Sequence, residues 1–185
     1  MKKQAPAATT ALSEPIENFI KDGTFRHPAA SNKPGDEPYL EIYGPEELGA
    51  WQVEDGGLAL ICSASMTRSN HQAIDIGGAV LTQDFDPPNG RKVEITWMHS
   101  KNTDPSCHGT LQSYGAYVLD TSNDEVVAEK HLQPISTVFT HIPAEQKLTF
   151  TVNSGASYAL RFEGETGTTG GAMIYQVVGQ AATEY

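Results

Sequence analysis

The sequence predicts an all-β chain, folded as an antiparallel sandwich or barrel. Apolar residues recur at period two from residue 16 onward, the mark of strands with one buried face. Turn formers, among them 17 Gly and 11 Pro, interrupt the chain at short intervals. No window of about 12 residues repeats at 3.6, so no long helix is expected.

The elements follow in order. Residues 1–15, MKKQAPAATTALSEP, are rich in Ala, Pro and Thr and read as a short N-terminal arm, flexible alone or docked on another surface. NFIKDGTFRHP (18–28) reads as the first strand and turn, with Gly23 permitting the turn and Phe25 as the core anchor. YLEIY (39–43) sets Leu40 and Ile42 against Tyr39, Glu41 and Tyr43. PEEL (45–48) is expected as one helical turn. AWQVE and LALIC flank DGG (55–57) and are expected to form a hairpin, because Asp-Gly and Gly-Gly tolerate positive φ. VLTQDF (80–85) stops at DPPNG (86–90). KVEITWM (92–98) puts Val93, Ile95 and Trp97 on one face, so Trp97 reads as core.

SYGAYVL and EVVAEKHL flank DTSND (120–124) as a second hairpin. KLTFTV (147–152) turns Leu148, Phe150 and Val152 inward, and SYALRFE does the same with Tyr158, Leu160 and Phe162. AMIYQVV (172–178) closes the set. That is about ten to twelve strands in one domain over residues 16–180, the architecture expected of many short strands with Gly/Pro turns.

The chain has 185 residues and a formal net charge of −11. The charge excludes nucleic acid and an anionic membrane surface as partners. The N-terminus carries Lys2 and Lys3 but no apolar core region of a secretory signal. No stretch approaches the roughly 18 apolar residues of a membrane span, so no membrane insertion is expected. The expectation is a protein made in the cytoplasm, which stays there, leaves by a non-classical route or joins an assembly.

No catalytic or phosphate-binding signature occurs, and TTGG (168–171) precedes a strand rather than a helix. Asp84/Asp86 and Glu163/Glu165 pair at i, i+2 and read as solvated strand ends. The six histidines form no metal-ligand spacing, and Cys62 and Cys107 form no CxxC. The two cysteines read most simply as two buried thiols, with a bridge as the alternative. The chain is therefore expected to be no enzyme and to carry neither cofactor nor metal.

Binding is expected on long polar loops held by a rigid scaffold. SMTRSNHQ (65–72) offers Arg68, Asn70 and His71. HSKNTDPSCHGTLQSYG (99–115) offers His99, Asn102, Asp104, His108 and Tyr114. Amides and guanidinium supply the mixed donors and acceptors that sugar hydroxyls need. Trp51, Tyr39, Tyr43, Tyr114 and Tyr117 are the aromatic candidates for stacking on a sugar ring.

The ordered series NFIKDGTFRHP, Trp51, QAIDIGG (72–78), QDF (83–85), PPNG (87–90) and Trp97 resembles the galactose-binding-domain-like jelly rolls, nearest the bacterial and plant cell-wall branch. The resemblance spans roughly residues 16–178. It implies a jelly roll of eight or more strands and non-catalytic carbohydrate binding. Related modules often place a calcium-binding Glu after the opening Phe and an Asp in the last strand. Here Arg26 and Tyr175 stand near those places, and an Arg cannot ligate Ca²⁺, which implies no calcium there. Two functions follow as expectations. One is a lectin-like module recognising glycans through loops at one end of the sandwich. The alternative is a structural or assembly subunit, such as a virion, appendage or coat protein, that forms a homo-oligomer through residues 1–15.

Overall fold

The computed structural model describes residues 17–54, 57–67, 71–104, 112–134, 142–165 and 170–182. Residues 1–15, Arg68, Asn70, Cys107 and His108 lie outside that set. Twelve strands occur among the described residues: β1 (Tyr39–Tyr43), β2 (Glu46–Leu48), β3 (Trp51–Val53), β4 (Leu58–Cys62), β5 (Ala73–Asp75), β6 (Val80–Phe85), β7 (Lys92–Lys101), β8 (Tyr114–Asp120), β9 (Glu125–Leu132), β10 (Ala144–Thr151), β11 (Tyr158–Gly164) and β12 (Ala172–Ala181). They form two antiparallel sheets of six, ordered β1-β4-β5-β12-β7-β10 and β2-β3-β6-β11-β8-β9. The chain passes repeatedly from one sheet to the other, which is the jelly-roll arrangement.

The alternation read from the sequence sets what faces inward. Val93, Ile95 and Trp97 of β7 and Leu148 and Phe150 of β10 meet Tyr158, Leu160 and Phe162 of β11 in one core. Trp51 bridges Phe25 and Phe162 at centroid distances of 5.3 and 6.1 Å, and Phe162 continues to Trp97 at 5.4 Å. Burying each such side chain contributes about 1.5–3 kcal/mol.

The first sheet has a second buried layer on its outer face. Leu60, Cys62, Ala73, Met173 and Tyr175 are buried there, with Tyr39, Leu58, Met66 and Met98 packed against them. A strand covered on both faces reads as a continuous apolar run, and LALIC is one. This corrects the expected hairpin: β3 and β4 lie in different sheets. The partner of β3 is instead β2, so PEEL contributes a strand rather than a helical turn. Gly49, with φ 61°, makes that short reversal.

The opening stretch is also not a ladder strand. It is fastened by side-chain amides. Gln83 accepts from Lys21 N (2.7 Å) through Oε1 and donates to Lys21 O (2.8 Å) through Nε2. Gln72 accepts from Ala30 N (3.0 Å) and donates to the carbonyls of Pro28 (2.7 Å) and Phe25. The Asp22 carboxylate accepts from the backbone N–H groups of Arg26 (2.9 Å) and His27 (3.4 Å).

Asp22 and Phe25 supply the positive φ of the turn, at 44° and 51°. Gly23 has a different role. A Cβ there would lie 1.9 Å from the Val177 carbonyl oxygen, which is backbone and has no way to move aside. We expect Gly23→Ala to lower unfolding free energy by about 2–4 kcal/mol in urea denaturation, while Arg26→Ala changes it by less than about 0.5 kcal/mol. Equal effects would remove the close approach as the reason for the glycine.

Candidate functional site

The described loop residues singled out from sequence lean over the outer face of the first sheet or point into the core. His71 is half buried, and Gln176 donates its amide to His71 Nε2 at 2.9 Å. Asn102 is buried and donates to Asp75 Oδ2 at 2.6 Å. Its backbone N and O are both held by the Gln112 amide, at 2.7 and 3.0 Å. Asp104 is exposed, and its N–H donates to Asn102 Oδ1 at 3.0 Å. Arg68, Asn70 and His108 are outside the described residues.

His99 and Tyr114 face inward and are buried. Lys130 Nζ donates to Gln146 Oε1 (2.9 Å), which leaves the Gln146 amide nitrogen to donate to His99 Nε2 (3.2 Å). The proton of neutral His99 then sits on Nδ1 and is donated to the Tyr114 hydroxyl (2.9 Å), which also accepts from Trp97 Nε1 (2.7 Å). Burial, with Lys130 nearby, pushes His99 down to about 4. Burial pushes Asp75 up to about 6, against the hydrogen bonds donated by Asn102, Gly171 and Gly77. These side chains hold strand ends and loops together.

The second sheet presents a different surface. Its outer face is open and chemically mixed. Register places one residue from each strand in a single row across it. Glu47 pairs with Gln52, Gln52 with Thr82, Thr82 with Arg161, Arg161 with Tyr117, and Tyr117 with Glu129. The row crosses all six strands.

Tyr117 lies back along its own strand, over Gly115. A Cβ at Gly115 would come within 2.3–2.5 Å of the hydroxyl, Cε2 and Cζ atoms of Tyr117. The absence of a side chain there makes room for the ring. His131 packs edge-on to it, at 5.7 Å and 87°, and is itself held by Glu165 through Nδ1 at 2.8 Å. That hydrogen bond raises the His131 pKa and lowers that of Glu165. Partial burial and the carboxylates of Glu163, Glu165 and Glu129 raise the Tyr117 hydroxyl, with Arg161 opposing them.

Beside the ring, Arg161 Nη2 meets Glu163 Oε2 at 3.2 Å, and Arg161 Nε is buried with no hydrogen-bond partner among the described residues. Tyr117, Leu119, Val126, Arg161 and Glu163 enclose a shallow depression of about 250 Å³. A larger groove of about 460 Å³ lies toward the other edge, with Lys21, Glu47, Gln52, Thr82 and Asp84 in its walls.

Of the other aromatic candidates, Trp51 is buried, Tyr39 is half buried in the second cluster, and Tyr43 is exposed at an edge with its hydroxyl on Glu41 (2.8 Å). Among the residues of this face, sequence reading singled out Tyr117 as a stacking candidate but missed Arg161, Gln52, Thr82 and Glu129. The usable signal was parity. Arg161 and Glu163 alternate with the core residues Leu160 and Phe162, as Tyr117 does with Ala116 and Val118.

No family model and no curated protein matches the sequence. Solved structures do match. TmCBM61, solved in complex with beta-1,4-galactotriose, aligns with a TM-score of 0.50 at 11% identity, covering 90% of this chain and 99% of that one. The CBM22-1 and GH10 modules of Clostridium thermocellum xylanase 10B, complexed with xylohexaose, align with a TM-score of 0.50 at 9% identity, over 79% of this chain. The enzymatically active domain of bacteriophage CBA120 tailspike protein 4 aligns at 0.46 and 16% identity, over 76% of this chain. This chain spans 28% of the xylanase and 20% of the tailspike. The likeness is one of fold, the two-sheet antiparallel jelly-roll sandwich described above.

Two predictions follow from the geometry. Gly115→Ala keeps the unfolding free energy within about 1 kcal/mol, because the ring, not the backbone, moves aside. The displaced ring then no longer packs edge-on to His131, read as loss of the ring-current shift on the His131 ring protons. An unchanged shift would contradict the placement.

The second concerns pH. His99, down from 6.5 to about 4, contributes stability above pH 6.5 that is lost as pH falls toward 4. Asp75, up from 3.8 to about 6, does the reverse, so stability gained below 3.8 is lost as pH rises to 6. The two contributions oppose one another over this range in the intact protein. Between pH 6.5 and 4, His99→Gln should gain stability as the pH drops and Asp75→Asn should lose it. Slopes of the same sign would refute the assignment.

Proposed function

We propose that this chain is a non-catalytic carbohydrate-binding module whose ligand lies on the outer face of the second sheet. The observation that carries the reading is Tyr117, laid over Gly115 on a rigid strand and flanked by Arg161, Glu163 and Glu129. A sugar ring has an apolar face of C–H groups and a rim of hydroxyls that donate and accept. A flat aromatic ring meets the first, and carboxylate, guanidinium and hydroxyl groups meet the second. Two structures that share the fold, TmCBM61 and the xylanase modules, were solved with beta-1,4-galactotriose and with xylohexaose, which supports a glycan as the ligand class.

A second reading keeps the loops as the site. Asp104 lies close enough to Tyr39 to help Glu37 and Glu41 raise its hydroxyl pKa, so loop and β1 share a surface with one aromatic side chain. On that reading His71 and Asp104 would meet the sugar.

A glycan array followed by calorimetric titration separates the two. Tyr117→Ala is expected to weaken binding tenfold or more, about 1.4 kcal/mol, with Tm unchanged. Tyr39→Ala should leave affinity within twofold. The opposite pattern establishes the loop site, and a protein that retains no glycan refutes both.

A further inference from the structure

Building on the carbohydrate reading, we propose that the Tyr117 depression and the Lys21–Asp84 groove are two subsites of one ligand: a linear glycan lying across the strands and bearing no acidic groups. Three observations lead there. The two depressions share one sheet face, and Thr82 lies between Gln52 of the groove and Arg161 of the Tyr117 site in the same cross-strand row. That row spans five strand spacings, about 24 Å, which matches about five sugar rings laid end to end and far exceeds a single terminal sugar.

The walls are also predominantly acidic. Glu47 and Asp84 stand in the groove, and Glu129, Glu163 and Glu165 surround the ring, against Lys21, Arg161 and His131, the last paired to Glu165. Arg161 is already answered by Glu163 at 3.2 Å. With a chain net charge of −11, the field over this face repels uronates, sulfates and phosphates. It tolerates neutral sugars and favours amino sugars, whose ammonium groups also suit the face of Tyr117. Lys21 belongs to the site because the Gln83 amide fixes its backbone at both N and O.

The test uses three hexasaccharides of one geometry, β-1,4-linked glucose, 2-amino-glucose and glucuronic acid, each with its trisaccharide, titrated against the full chain. The expected order is amino at least equal to neutral, and the acidic chain tenfold or more weaker. The neutral hexamer should bind at least tenfold tighter than its trimer. The double variant Glu47→Gln with Asp84→Asn, neither of which supports the core, should reduce the hexamer's preference for amino over neutral sugar at least threefold.

Equal affinity of trimer and hexamer overturns the two-subsite ligand. If trimer binding is still lost in Tyr117→Ala, the carbohydrate reading survives that result. Acidic and neutral hexamers binding alike overturn the charge selection. Binding by none of the six overturns the proposal and counts against the carbohydrate reading it rests on.

Discussion

The structure depends on an inequality between its two sheets. Both share one core, but the first is also buried on its outer side, by Leu60, Cys62, Met173 and Tyr175 with Met66 and Met98 packed on them. Strands β4 and β5 and the first half of β12 are therefore buried on both sides, and even the polar residues Asp75, Ser100 and Asn102 are buried. The second sheet is buried on one side only. Its other side is the large strand surface left for solvent or ligand, and a rigid sheet displays side chains there at fixed spacing. The position of the candidate site follows from which sheet is covered.

The same economy explains the opening segment. A chain that crosses the rim of a sandwich leaves backbone donors and acceptors without ladder partners, and each must be satisfied. Gln72 and Gln83 do this, with Asp22 capping the turn between them. Asn18 adds its carbonyl as acceptor for Ile20 and Gly179. These are neutral or local bonds, so the segment needs no long-range ion pair from Arg26. One consequence is functional: the fixed backbone of Lys21 sets a cation at the lip of the larger groove.

Much of the fold was legible. Strict alternation in β7, β10 and β11 identified the inward side chains, because burial on one face leaves a period-two record. What escaped was set by contacts distant in sequence. LALIC follows DGG closely, yet pairs with β1 and β5, because a strand apolar on both faces belongs in the covered sheet. PEEL has helix-forming composition and still pairs as β2 with Trp51–Val53, tertiary pairing outweighing weak propensity.

Gly23 was read as a turn glycine, but its need for hydrogen in place of a side chain comes from Val177, in the last strand. For the site, polar loops attracted notice because they are long and rich in hydrogen-bonding groups. Yet His99 and Tyr114 bond each other, and Asn102 is held by Asp75 and Gln112. The outward residues of the second sheet are dispersed over six strands, and only the register assembles them.

Backbone amide chemical shifts, followed while a neutral β-1,4-linked hexasaccharide is titrated into the protein, would test the central claim most directly. The shifts should concentrate on outward positions of β3, β6, β8 and β11, at Gln52, Thr82, Tyr117 and Arg161. Shifts confined to His71, Asn102–Asp104 and β1, with the second sheet silent, would contradict it.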